Sequence, residues 1–412
     1  MRILALSTAI PFPPTSGGKL RTYHLLRALA RRHEITLAGF TYGEEPGIAT
    51  FPARIASVPW TAPPLYQQMT QGDAVSSQAA ADQLSNDAHE PWCVNWAESS
   101  EFEALIRQLL RDPFDLVLFE GSPMARFLHA LPPDVPKILD FMDVYSRMAQ
   151  RQLDATSDVD PAVAERELDR TICFERAAAA QCDVCLAVSA QEALAASNLL
   201  GAELVEVVAN GVDTNYFRPS CDESEHANLL FTGAMSYRPN SEAVVGFVRE
   251  ILPLVLQELP EAILHVVGAA PPRAVTSLAG RNVSVHGFVD DMRPYHRQSS
   301  VVVVPLLRGG GTKLKVLEAA AMGKAIVTTS IGVEGLAFRD SEELMVADSP
   351  TSFARAVVRL VQDAGKRRKL GERAREIALG YDWEIIGDRL CHIVEPFARR
   401  NGAAVAVATG ES

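Results

Sequence analysis

Short apolar runs alternate with longer amphipathic stretches along the whole chain. Residues 3–7, 35–40, 116–120, 137–141 and 184–188 read as strands, being short and mostly apolar. Between them lie helix-length segments such as 20–31, where Leu25, Leu26 and Leu29 share one face. After the turn-rich stretch 210–225 the alternation begins again. Residues 229–232, 263–267, 283–286, 301–305, 325–329 and 344–346 supply a second set of strands. Strand and helix in alternation predict an α/β fold of two Rossmann-like domains, each a parallel sheet covered by helices. The expected limits are 1–218 for the first domain, with a linker at about 214–226, and 226–383 for the second. A helix at 384–400 and a frayed tail at 401–412 follow.

Composition narrows the functional classes. The 412 residues include 39 basic and 51 acidic side chains, a net charge of -12, so nucleic acid is not an expected partner. The apolar start is too short for a signal peptide, and no run approaches the roughly 20 residues of a membrane span. Six cysteines without tandem pairing fit a reducing compartment, and the expected location is cytoplasmic. Residues 1–33 run against the overall charge, with Arg2, Lys19, Arg21, Arg27, Arg31 and Arg32 and no acid. An ordinary solvated helix face or a peripheral contact with the inner membrane surface would each account for them.

The strongest chemical signal is Arg308-Gly309-Gly310-Gly311-Thr312-Lys313-Leu314-Lys315, placed directly after a buried strand and opening a helix that closes at Gly323. Glycines admit a ligand close to the backbone, and free amides at a helix N-terminus attract anions. Thr312 is the expected cap, and Arg308, Lys313 and Lys315 add charge suited to a diphosphate. Glu318, a turn and a half into the helix, can accept two hydroxyl hydrogen bonds, as from a ribose. The plainer alternative makes Lys315 and Glu318 a surface pair three residues apart. Gly17 and Gly18 form a second glycine turn after the first strand, able to meet phosphate or sugar. The G-x-G-x-x-G and P-loop spacings are both missing there, which removes the usual support for hydride transfer and ATP hydrolysis.

Weaker signals accompany these. Cys182 and Cys185 have C-x-x-C spacing but run into an apolar strand and read as core cysteines. Asp158 and Asp160 imitate an acidic metal motif in a polar loop, a poor place for one. Asp140 and Asp143 end a strand at the carboxyl edge where such sheets bind ligands, so either could steer or deprotonate an acceptor hydroxyl, with helix capping the alternative for Asp143. Residues 61–100, with Trp92, Cys93 and Trp96, break the alternation as a surface insertion.

Several segments now stand in one order: Ser16-Gly17-Gly18, Asn210-Gly211-Val212-Asp213, Phe231-Thr232-Gly233-Ala234-Met235, Gly287-Phe288-Val289-Asp290, Lys315-Val316-Leu317-Glu318 and Gly332-Val333-Glu334-Gly335. Together they resemble retaining glycosyltransferases of family 4, of the GT-B type with two facing Rossmann-like domains. Phe231 to Met235 and Asp143-Val144-Tyr145-Ser146 resemble most the branch tied to bacterial exopolysaccharide and protein-sorting loci. The resemblance implies a nucleoside diphosphate sugar as donor, a glycan or lipid-linked acceptor, and a returning C-terminal helix. It places the donor ribose on Glu318, the diphosphate and sugar on Gly309 to Thr312 and Lys315, the base near Gly287 to Val289, and the phosphates against Gly17 and Gly18.

Two departures accompany it. Many members carry a Glu where this chain has Gly310, and a Gly-Arg where it has Gly233-Ala234, leaving Arg238 as the nearest substitute. The expected activity is a metal-independent, cofactor-free transfer of a hexose, with Lys315, Asp143 and Arg238 as its catalytic set. A nucleotide-sugar epimerase or hydrolase, or a noncatalytic subunit that binds a sugar nucleotide, would use the same residues.

Overall fold

The computed structural model describes residues 1–43, 51–63, 67, 90–154, 160–220 and 227–409. The chain divides into two compact units, one formed by residues 1–209 with 386–412 and the other by 210–385.

In the first unit seven strands form one parallel sheet. They are β1 (Arg2–Ser7), β2 (Glu34–Thr41), β3 (Arg54–Pro59), β4 (Leu116–Glu120), β5 (Lys137–Asp140), β6 (Val184–Ala187) and β7 (Val205–Val207), in the order β3-β2-β1-β4-β5-β6-β7. The order reverses beside β1, where Ile3 pairs with Ile35 of β2 and with Leu116 of β4. Strands β3 and β7 were not legible as apolar runs. The six residues of β3 are exposed or half-buried and include a serine and a proline, and β7 is only three residues long.

Helix α1 (Gly17–Leu29) starts at the two glycines themselves, so they occupy its first turn rather than a loop ahead of it. Ser16 caps it by accepting from the Lys19 amide. Helix α2 (Pro161–Ala179) begins with Asp160 accepting from the Ala162 amide at 2.9 Å, so this aspartate caps the helix. Asp158, the linker residues 221–226 and most of the 61–100 insertion lie outside the described residues. Trp92 and Trp96 are half-buried, and Trp96 donates to the Cys93 carbonyl at 2.9 Å. Cys185 is buried in β6, and burial pushes its thiol up to about 12.

The second unit repeats the plan with six parallel strands: β8 (Asn228–Thr232), β9 (Ile263–Val267), β10 (Val283–Gly287), β11 (Val301–Val304), β12 (Ala325–Thr328) and β13 (Met345–Val346). Their order is β10-β9-β8-β11-β12-β13. All four valines of β11 are fully buried, as expected of a central parallel strand. The helices used below are α3 (Arg238–Gly246), α4 (Leu314–Ala321), α5 (Ala364–Leu379) and α6 (Trp383–Thr409).

From Ile386 onward, α6 belongs to the first unit and packs on α1. A side chain at Gly387 would stand 2.4 Å from the Ala28 Cβ, and Arg31 and Arg32 pair with Asp388 and Glu395 at 2.9 and 3.4 Å. The helix continues to Thr409, past the residue 401 where fraying was expected. These pairs also revise the basic N-terminal face. Arg31 and Arg32 meet acids of α6, and Arg21 is buried against Asp140. Among the described residues no helix is long and apolar enough to cross a membrane.

Candidate functional site

The glycine loop leaves β11 at the carboxyl edge of the second sheet and feeds α4. Gly309 and Gly311 take φ of 132° and 57°, values that side chains rarely adopt, so the loop is shaped by glycine. Thr312 is not the cap. Lys313 occupies the cap position without a side-chain bond, while the Thr312 hydroxyl accepts from the Asn210 amide at 2.9 Å. The Lys313 ammonium donates to the carbonyls of Gly310 and Gly311 and thereby braces the loop from within. Gly323, at φ 67°, ends the helix as expected.

Lys315 does not form a surface pair with Glu318. Its Nζ turns inward, donates to Asn240 Oδ1 at 2.6 Å and lies 4.1 Å from the centre of the Phe231 ring. Gly233, at the end of β8 with φ 143°, makes room for this group, since a Cβ there would come within 2.8 Å of both Lys315 Nζ and Asn240 Nδ2. Burial pushes the ammonium down to about 7, partly opposed by the Glu318 charge. Burial likewise pushes the Glu318 carboxyl up to about 7, opposed by Lys315. The second unit thus brings Gly233, Asn240, Lys315 and Glu318 together beside a glycine loop. The arrangement suits it to bind an anion and a hydroxyl-bearing group side by side.

The other predicted residues fall into three groups. Arg238 and Arg308 both pair with Glu242 on α3, so their charges are shared with a carboxylate. Gly287, at φ 69°, accepts from the Gly268 amide at 2.8 Å at the end of β10, and Val289 packs partly against the core. Gly17 and Gly18 are exposed at the start of α1 in the first unit. Asp143, half-buried after β5, also belongs to that unit.

Asp140 cannot serve as an acceptor base. It is fully buried and receives the Arg21 Nε and Nη2 at 2.7 and 3.1 Å. Sequence reasoning gave no role to Asn240, nor to Glu120, whose carboxyl is fully buried and pushed up to about 8 by burial and then by Asp140. The Asn at the first turn of α3, seven residues after Gly233, is the only trace that Asn240 leaves in the sequence.

Comparison with known proteins bears on this unit and on the whole fold. Residues 226–363 match the family model described as glycosyl transferases group 1. Phosphatidyl-myo-inositol mannosyltransferase of Mycobacterium tuberculosis is 26% identical over 226 residues, covering 51% of this chain and 58% of the relative. The chain spans about half the length, or less, of the curated relatives that it matches. Sucrose-phosphate synthase from Thermosynechococcus elongatus superimposes with a TM-score of 0.72 at 17% identity, over 98% of this chain and 100% of that one. HepE of Anabaena in complex with UDP-glucose gives a TM-score of 0.66 at 15% identity, over 96% and 100%. At such identity the likeness is one of fold. The chain has the GT-B fold, and its residues 226–363 carry the pattern of group 1 glycosyl transferases.

Proposed function

We propose that the protein is a retaining glycosyltransferase that moves a hexose from a nucleoside diphosphate sugar to a glycan or lipid-linked acceptor in bacterial polysaccharide synthesis. The observation that carries this reading is the half-buried, inward-turned Lys315 beside Asn240 and Gly233, with Glu318 three residues further along α4. In this reading Glu318 accepts from the ribose hydroxyls. Lys315 and the loop amides take the charge that grows on the leaving diphosphate as the anomeric carbon becomes cationic, and no metal is required. The sugar meets the Gly310 backbone where many relatives present a carboxylate. Asp143, in the first unit, steers the acceptor hydroxyl. The likeness to a structure solved with UDP-glucose supports a nucleotide sugar as donor.

Thermal unfolding with UDP, GDP, ADP and dTDP in turn tests the donor site. At about 100 times its dissociation constant one nucleotide should add roughly 2.7 kcal/mol, and Glu318→Ala should abolish that gain. No shift with any nucleotide would overturn the site. With the matching sugar nucleotide and an acceptor, product of retained anomeric configuration supports transfer. Sugar isomerised or released without an acceptor would instead establish an epimerase or hydrolase.

A further inference from the structure

The segment 142–146, which carries Asp143, leaves β5 at the carboxyl edge of the first sheet, the edge where such sheets bind ligands. Each of its five backbone N–H groups is held. Met142, at φ 58°, donates to Asp140 Oδ1 at 3.1 Å, and Asp143 donates to the Phe141 carbonyl at 2.6 Å, which closes a tight turn that residues with a side chain seldom adopt. Val144 donates to Glu192 Oε2 at 3.3 Å, Tyr145 to Glu175 Oε1 at 3.0 Å and Ser146 to Glu175 Oε2 at 3.0 Å. Tyr145 and Ser146 open the helix Tyr145–Asp154, whose first turn has no acid of its own. An aspartate at 143 stands where a helix cap is expected, yet both amides bond instead to Glu175, 30 and 29 residues further along the chain. From these observations we propose that Glu175 is a positioning residue of the acceptor step, capping this helix in place of Asp143 and fixing the turn from which Asp143 acts. The proposal rests on the reading that Asp143 steers the acceptor hydroxyl.

Glu175 lies on α2 and is 1% exposed. A carboxyl group so deeply buried is costly unless donors meet its oxygens, and besides the two amides it receives the Ser122 hydroxyl at 2.8 Å. Ser122 follows the end of β4, so one side chain ties together the segments that leave the neighbouring strands β4 and β5. The two segments lie close: Gly121, at φ 96°, has room for a Cβ only 3.8 Å from Met142 Sδ. Glu192, also buried, holds the same turn through Val144 and pairs with Arg147. A turn in a sparsely populated conformation persists only where its surroundings over-determine it, and such turns gather where one side chain must be presented in one place. Capping by itself does not require this arrangement, since an aspartate at 143 could serve the helix without a buried carboxyl brought from α2.

Hydrogen exchange and nucleoside diphosphate release are measured on the full chain unaltered, as Glu175→Gln, as Asp143→Asn and as the double variant. Glu175→Gln keeps the shape but turns one accepting oxygen into a donor, so the amide of Tyr145 or of Ser146 loses its partner. Release is followed from UDP-glucose, GDP-mannose, ADP-glucose and dTDP-glucose in turn, with water in place of the acceptor, which yields free sugar and nucleoside diphosphate. In Glu175→Gln, exchange within 142–146 should quicken about tenfold while β4 and β6 stay protected, and kcat should fall about tenfold with the donor KM unchanged. The double variant should be no slower than Asp143→Asn alone, because Glu175 acts through that residue. Ser122→Ala, which removes one donor from Glu175, shows the same split on a smaller scale and replaces Glu175→Gln if that variant does not fold. Unchanged exchange, losses that multiply in the double variant, or a KM that rises at constant kcat would overturn the proposal and leave the reading of Asp143 standing. Release that is indifferent to Asp143→Asn, or no release from any of the four donors, would overturn that reading and the proposal with it.

Discussion

Nζ of Lys315 lies 2.6 Å from Oδ1 of Asn240, which reaches it from 75 residues earlier in the chain. The amide is itself oriented, because its Nδ2 donates to the Ala234 carbonyl at 2.8 Å and so leaves the oxygen facing the ammonium. Asn240 is therefore a positioning residue. It holds the cation of α4 against β8 at the one place where Gly233 leaves space.

Asn240→Ala should strip the half-buried Lys315 ammonium of its acceptor. The expected loss is about 1–3 kcal/mol of stability at neutral pH, with a further fall in the Lys315 pKa and weaker nucleotide binding. Denaturant unfolding with and without the nucleotide checks both. An unchanged midpoint together with unchanged affinity would show that the contact holds nothing in place.

The same pair sets a pH dependence whose sign can be worked out. Glu318 is raised from 4.5 to about 7, so its contribution to stability is present below 4.5 and lost as pH rises through 7. Lys315 is lowered from 10.5 to about 7, so its contribution is present above 10.5 and lost as pH falls through 7. Together they predict a dip in stability near pH 7 in the unliganded protein. The dip should flatten in a Lys315→Met, Glu318→Gln double variant, as unfolding midpoints between pH 5 and 9 would show.

Arg238 and Arg308 share Glu242, and all three side chains are at least one-third exposed. Such pairs contribute little to stability. Glu242→Gln should leave the melting temperature nearly unchanged while removing the carboxylate charge that Arg238 and Arg308 share beside the glycine loop. Affinity for a nucleoside diphosphate should then rise several-fold at low salt and return to the unaltered value as salt screens the charge. Binding isotherms at two salt concentrations decide this. An affinity that stays flat would place both arginines away from the ligand.

The reach of the sequence follows from how local each feature is. The glycine loop, α4 and its end at Gly323 were legible because a buried strand, three glycines and strong helix formers lie within one short segment. Thr312 escaped because its hydroxyl partner, Asn210, comes from 102 residues away, and the cap position moved to Lys313. Arg21 looked like part of a solvated basic face, since the Asp140 that buries it is 119 residues distant. Both parallel sheets were legible from their continuous apolar strands. By contrast β3 and β7, lying at the sheet edge with partly exposed residues, gave no such run.

Asp140 and Glu120 end neighbouring strands of the first sheet, and only one Arg21 serves them. Arg21 binds Asp140 through two nitrogens, while Glu120 Oε2 accepts from the Thr22 hydroxyl at 3.1 Å and its Oε1 has no partner. Asp140→Asn removes the carboxylate that holds the buried Arg21 guanidinium through two nitrogens, and breaking such a buried pair ordinarily costs about 3–5 kcal/mol. Part of that loss should be recovered by Glu120. Its carboxyl stands at about 8 through burial and repulsion from Asp140, and the variant removes the repulsion while leaving Arg21 in place. Glu120 should then ionise at lower pH. In the unaltered protein its contribution to stability is present below 4.5 and lost as pH rises through about 8, so in Asp140→Asn that loss should be smaller and complete at lower pH. Unfolding midpoints measured from pH 5 to 9 for Asp140→Asn, Glu120→Gln and the double variant separate the two effects. If Asp140→Asn and the double variant lose equal stability at pH 8, Glu120 has not taken over the pairing with Arg21.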